Sequence, residues 1–199
     1  DLRFLRALKN RFGSIDELGI FSMDEKGLNT VEETSTLFIT NRKDSLPSGS
    51  ATVPIIEGSR VFMVELQALT VPAKGAMTRV FSDKIDSARV NRIAAVLEKR
   101  VGIRFSDQDI YVNVAGGIKI KEPAADLALA IALYSSRVDI PAKVNATYIG
   151  ELSLAGEIRN VKKIIPRIKA ANSLKFSSYY IPKTLDEAEE FNKSIITVS

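Results

Sequence analysis

From residue 50 onward the chain alternates short β-prone runs with amphipathic helical stretches, and that alternation restricts it to a layered fold of sheet and helix. Val61 to Leu69 reads as a strand, with Val61, Met63, Glu65 and Gln67 alternating against Phe62, Val64 and Leu66. Residues 86–100 read as a helix: Val90, Ile93, Ala94 and Leu97 fall on one stripe, and Gly102 supplies the stop. Ile110 to Val114 reads as a strand that ends in a Gly116-Gly117 turn needing positive φ. Pro123 opens a helix running from Ala124 to Ser135, since its missing N–H has no partner in a first turn anyway. Strands are then expected over Tyr148–Leu152, Tyr179–Ile181 and Ile195–Val198, with helices over 161–172 and Leu185–Phe191 and a turn at Gly156. The fold class expected is α/β (α+β).

Residues 1–45 have a different texture. Short extended segments, Arg3 to Leu8 and Leu18 to Met23, flank a turn signal at Asp24-Glu25-Lys26-Gly27. The polar stretch from Thr40 to Ser50 is the best linker candidate, which divides the chain at about residues 45–50. The chain opens Asp1-Leu2-Arg3-Phe4 with no initiator methionine and is expected to be a fragment.

Composition removes whole classes of chemistry. There is no cysteine and no histidine among the 199 residues, so Cys/His zinc sites, thiol nucleophiles, Ser-His-Asp triads and disulfide scaffolds are excluded. A carboxylate-only Mg²⁺ or Ca²⁺ site stays open, without EF-hand spacing to support it. Hydrophobic residues make up 45% and charged residues 26%, ordinary for a soluble globular protein. Neither a signal peptide nor an apolar run long enough to span a bilayer is present. The net charge of +4 permits contact with nucleic acid without requiring it. Gly116-Gly117 with Lys119 and Lys121 suggests a phosphate loop, but no Walker A or dinucleotide-binding glycine pattern occurs, so the chain has no P-loop of its own.

A Ser-Lys dyad is the one hydrolytic device the composition allows. The helix start Glu122-Pro123-Ala124-Ala125-Asp126 offers two alanines where its nucleophile would sit. The run Val112 to Ala128, followed by Ile149 to Arg159, resembles the proteolytic domain of Lon protease, and more closely the Lon-like C-terminal domain of the bacterial RadA (Sms) family of DNA repair proteins. Lys9-Asn10-Arg11-Phe12-Gly13 is similar to the KNRFG segment of that family, and the motifs stand in the family's order over essentially the whole chain.

The resemblance carries a set of expectations. It implies that residues 1–45 are the β-rich C-terminal end of a RecA-like ATPase core with the KNRFG motif, and that residues 50–199 are a Lon-protease-like domain of the ribosomal-protein-S5-like type. Aligned on Pro123, the family serine falls on Ala124, and the family lysine falls on Ile165, so the domain is expected to be a retired peptidase; an active Lon-like Ser-Lys peptidase is the alternative. It implies a DNA-dependent, helicase-like ATPase that promotes branch migration in bacterial cytoplasm. That parent protein would use ATP and Mg, with zinc in a separate N-terminal finger, whereas this chain itself would need no cofactor. Expected partners are DNA (single-stranded and branched), a RecA-type recombinase and further copies in a homohexamer, with no membrane. Lys9 and Arg11 would reach a neighbour's nucleotide, with Asn10, Phe12 and Gly13 completing the motif; a plain basic surface strand is the other reading. Arg159, Lys162, Lys163, Arg167 and Lys169 form an acid-free basic run that reads as a DNA contact or as a solvated helix face.

Overall fold

A computed structural model describes residues 2–6, 18–24, 27–30, 39, 45–75, 77–182 and 195–198. Strands β1 (Leu2–Arg6), β2 (Leu18–Asp24) and β3 (Gly27–Thr30) form an antiparallel sheet in that order. The β2–β3 register closes at Asp24 opposite Gly27, where the turn signal stands, and Gly27 takes φ 111°.

The main sheet combines β4 (Ser50–Glu57), β5 (Arg60–Pro72), β6 (Val80–Ser82) and β7 (Gln108–Val114) in the order β4-β5-β7-β6. β4, β5 and β7 pair antiparallel, and β6 lies parallel to β7. Helices α1 (Ser87–Val101) and α2 (Asp126–Val138) cover one face. Phe62, Val64 and Leu66 of β5 join Val90, Ile93, Leu97, Ala128 and Leu133 there in one buried cluster. The stripe read from sequence is the packed face of α1. Its start is fixed by Asp86, whose carboxylate accepts from the N–H groups of Ala88 (2.7 Å) and Arg89 (3.2 Å), and its end by Gly102 at φ 79°.

The strand read over Val61 to Leu69 lies within β5, and both of its faces are covered, since Phe62 to Leu66 are buried without a break. A second layer covers the other face. It contains α3 (Ile164–Ser173), whose Ile164, Ile168 and Ala171 pack with Met63, Ala124, Tyr179 and Ile181. A parallel sheet of β8 (Ala146–Tyr148), β11 (Ser178–Pro182) and β12 (Ile195–Val198) and a small ladder of β9 (Glu151–Leu152) with β10 (Ile158–Arg159) lie beside these layers: Tyr179 and Ile181 join the α3 cluster, whereas Ala146, Tyr148 and Leu152 join the cluster of α1 and α2.

Two expectations need correction. Tyr148–Leu152 is not one strand: it breaks at Ile149-Gly150, whose N–H groups donate to the carbonyls of Tyr180 (2.9 Å) and Ala124 (3.0 Å). Nor does the linker extend to Ser50. Ser50 begins β4, and Gly49 is buried, donating to Ser135 Oγ at 2.8 Å and accepting from Ala68 N–H at 2.8 Å. A Cβ at Gly49 would stand 2.1 Å from Ala68 O, so only glycine fits. The helix expected over Leu185–Phe191 lies outside the described residues.

Candidate functional site

Pro123 starts a single 3₁₀ turn, Pro123–Ala125, that leads into α2. It borders a cleft of about 420 Å³ lined by residues from Glu122 to Ala124, by Glu151, by Asn160 to Lys162 and by Arg167. Ala124 is buried, and Ile165 packs against the same cluster. The positions at which a nucleophile and its base were expected from the resemblance therefore present only methyl and aliphatic groups. Ser135 and Ser136, at the far end of the same helix, are committed to backbone: Ser135 Oγ donates to Ile140 O at 2.6 Å, and Ser136 Oγ accepts from Thr70 N–H at 2.9 Å.

The polar group that fills the cleft is an ion pair. Arg167 is only 3% exposed, which corrects its place among the DNA-facing cations: its guanidinium points inward. It pairs bidentately with Glu122, one arm at 2.9 Å from Oε1 and the other on Oε2. Its remaining donors reach Pro54 O at 2.6 Å and Lys162 O at 3.2 Å. Glu122 Oε1 also accepts from Ile56 N–H at 2.8 Å. Four of the five guanidinium N–H donors are committed in this way, which makes the fork a structural clamp.

That clamp closes a sheet edge. β4 is an outer strand, and the backbone groups of Thr52, Pro54 and Ile56 face away from β5. Thr147 Oγ1 donates to Thr52 O at 3.1 Å, Arg167 takes Pro54 O, and Glu122 takes Ile56 N–H. Pro54 contributes no N–H of its own. Side chains thus occupy the groups that an added strand would need.

A second buried carboxylate fixes the helix that carries Ala124. Asp126 is fully buried and accepts from Arg89 Nε at 2.6 Å, from Arg92 at 3.1 Å and from Leu152 N–H at 3.2 Å. Arg89 also donates to the backbone carbonyl of Glu122 at 2.7 Å, which ties the main chain before Pro123 to the Asp126 site. Sequence reasoning passed over both acids. Their signal was the placement of Glu122 and Asp126 around Pro123-Ala124-Ala125, but their arginine partners lie 34 to 45 positions away.

Of the remaining basic run, Arg159, Lys162, Lys163 and Lys169 are exposed. Arg159 lies 3.4 Å from Glu157, while Lys162, Lys163 and Lys169 have no side-chain ion pair among the described residues. Lys119 and Lys121 line an adjoining cleft of about 540 Å³ that also reaches Glu122. Lys9, Asn10, Arg11, Phe12 and Gly13 lie outside the described residues. No group of three or more Asp/Glu side chains that could hold a metal occurs among the described residues. No helix there is long and apolar enough to cross a membrane.

On the far side of the main sheet, Asp109 holds Arg79: Arg79 Nη2 lies 2.6 Å from Oδ2, and the backbone N–H of Arg79 donates to Oδ1 at 2.9 Å. The hydrogen bonds and charge of Arg79 keep the Asp109 carboxyl below the usual range, and those of Asp109 raise Arg79.

The chain is 66% identical over 182 residues to the DNA repair protein RadA of Treponema pallidum, covering 92% of this chain and 40% of that protein. The proteins of the same name from Listeria monocytogenes and Bacillus subtilis are each 45% identical, over 91% and 90% of this chain and 39% of their own length. The chain thus spans about two fifths of the length of the relatives it matches. A family model described as subunit ChlI of Mg-chelatase matches residues 79–185, the stretch from the start of the Asp109–Arg79 pair through α3 to β11. This mixed α/β chain belongs to that ChlI family, and the relatives to which it is similar over about nine tenths of its length carry the name DNA repair protein RadA.

Proposed function

We propose that the chain is the C-terminal region of a DNA-dependent ATPase of recombination and repair, and that it serves assembly and DNA contact without chemistry of its own. In this reading residues 50–199 keep a Lon-protease-like scaffold of the ribosomal-protein-S5-like type, and residues 1–45 end the ATPase core. Lys9 and Arg11 complete the nucleotide site of a neighbouring copy in a six-membered ring, and the parent motor, loaded with ATP and Mg and working beside a RecA-type recombinase, drives branch migration. The relatives' shared name supports the repair role.

The observation that carries the non-catalytic part is the Glu122–Arg167 clamp beside Ala124 and Ile165: the two positions where the resemblance would put a nucleophile and its base carry a methyl and an aliphatic side chain, and Arg167 is committed to Glu122 and to backbone carbonyls. Exposed Lys162, Lys163 and Lys169 supply the charge for phosphate contact, each contact adding a salt-sensitive increment. Incubation with unfolded casein and with a fluorophosphonate probe is expected to give neither cleavage nor labelling. Stoichiometric labelling of any serine would overturn the non-catalytic reading. Changing Lys162, Lys163 and Lys169 to Ala should weaken DNA binding at low salt and flatten its salt dependence by roughly one unit per lost contact. Binding unchanged in both respects would remove the basic run from the DNA surface.

A further inference from the structure

Two long side chains stand where the backbone favours glycine, and both belong to one helix. Among the described residues the non-glycine positions with positive φ are Asp139, Asn145, Lys163 and Lys175. The short side chains of Asp and Asn tolerate this region, whereas a lysine there is held against its preference. Lys163 (φ 56°) stands directly before α3, and Lys175 (φ 63°) follows its last turn. At that end the N–H of Lys175 donates to Asn172 O at 2.9 Å, and the N–H of Phe176 donates to Ala171 O at 3.1 Å. In such a double closure the position of Lys175 is the one glycine commonly takes. Packing gives neither lysine a reason to be there. Both are exposed, and neither has a side-chain ion pair among the described residues.

The outer face of α3 between them has one chemical character. Ile164, Arg167, Ile168 and Ala171 turn inward, which leaves Pro166, Lys169, Asn172 and Ser173 outside. No aspartate or glutamate occurs from residue 158 to residue 182. None of the large exposed apolar side chains among the described residues lies on α3 or its flanks. The ten residues of the helix set the two lysines roughly 15 Å apart, with Lys169 between them. A protein partner would find no apolar centre here, and the cores of protein interfaces are depleted of lysine and serine. A nucleic-acid backbone asks for the reverse, a line of cations and small polar groups.

We propose that the outer face of α3 lies along a DNA backbone, with Lys163 and Lys175 each holding a phosphate from opposite ends of the helix. The positive φ at both ends then serves a charge that glycine cannot supply. The proposal rests on the DNA-contact reading above and extends it: Lys175 joins the contact, and the footprint runs past the far end of α3.

Glycine tests this directly, because it removes the charge and relieves the backbone in one change. Lys163→Gly, Lys175→Gly and the double variant are made in the 199-residue chain. Fluorescence anisotropy then follows binding to a labelled oligonucleotide, single-stranded or annealed to its complement, over a range of salt. Each glycine should leave the Tm at or above the wild-type value. It should at the same time weaken binding and flatten the slope of log affinity against log salt, by about 0.9 on duplex or about 0.7 on a single strand. The form of DNA on which the slope falls is the form the helix holds. Lys163→Arg and Lys175→Arg keep the charge and should retain both affinity and slope. A merely structural role for these lysines does not yield a chain that is as stable as the wild type and yet binds DNA less. Glycine variants with wild-type affinity and slope on both oligonucleotides would overturn the α3 footprint and leave the DNA-contact reading to the other lysines. A loss that the arginine variants share would trace it to the backbone and overturn the proposal as well. Absence of any binding by the wild type would overturn both the proposal and the reading beneath it.

Discussion

Arg167→Met separates a structural clamp from a DNA contact. Methionine fills most of the arginine's volume, so the change isolates the polar interactions. Removing one member of a buried ion pair costs about 3–5 kcal/mol, because the other charge is left without its partner. Glu122 is 22% exposed and keeps the Ile56 N–H, so water relieves part of its charge and the low end, about 3 kcal/mol, applies. The Pro54 carbonyl loses its donor at the closed edge of β4 and adds about 1 kcal/mol. The expected loss of about 4 kcal/mol lowers the Tm by about 8–16 °C for a chain of this size. Urea denaturation followed by circular dichroism reads the change as a lower midpoint at constant slope. Glu122→Gln alone and with Arg167→Met closes a cycle, and the double variant should be less destabilised than the two single losses summed. A solvent-facing arginine behaves in the opposite way. Its removal changes stability by about 0.5 kcal/mol or less and lowers the DNA salt slope by about 0.9. Stability within 1 kcal/mol of wild type, together with that flattened slope, would refute the clamp.

Two other outcomes follow from geometry already described. The Asp109 carboxyl is depressed in the fold by Arg79, so the pair's contribution is fully present above the unfolded value of about 3.9 and is lost as pH falls through the lower folded value; Asp109→Asn should flatten the acid limb of stability below about pH 4, and an unchanged limb would contradict the pairing. A Cβ at Gly150 would stand 2.5 Å from Ile158 Cγ2, so Gly150→Ala should cost about 1–3 kcal/mol, and Ile158→Ala in the same chain, which removes that atom, should recover part of it; no recovery would mean the strain lies elsewhere.

Local signals carried over from sequence to structure where the cause is local. The α1 stripe, Gly102 as its stop, Pro123 at a first turn and the positive φ of Gly116 and Gly117 (71° and 70°) depend on neighbours within a few residues. What was missed depends on distant partners. Alternation in β5 leaves the covering of both its faces unstated, because nothing within its own thirteen residues announces that α3, about a hundred positions on, will cover Met63. β4 was hidden by Pro54, which argues against a strand until the strand is known to be an edge. In the same way Arg167 looked like its neighbours Lys162, Lys163 and Lys169. Only helical phase together with Glu122, 45 positions earlier, turns one cation of that run inward and leaves the others in water.

The sealed border of β4 has a consequence for the company this chain can keep. Unfolded polypeptides and stray strands adhere to folded proteins by extending an open row of amides and carbonyls. Along Thr52, Pro54 and Ile56 that row is already answered by a hydroxyl, a guanidinium and a carboxylate. A visiting strand would have to dislodge a bidentate salt link before it gained its first hydrogen bond. The stretch from Thr52 to Ile56 is therefore a poor docking edge for extended protein chains.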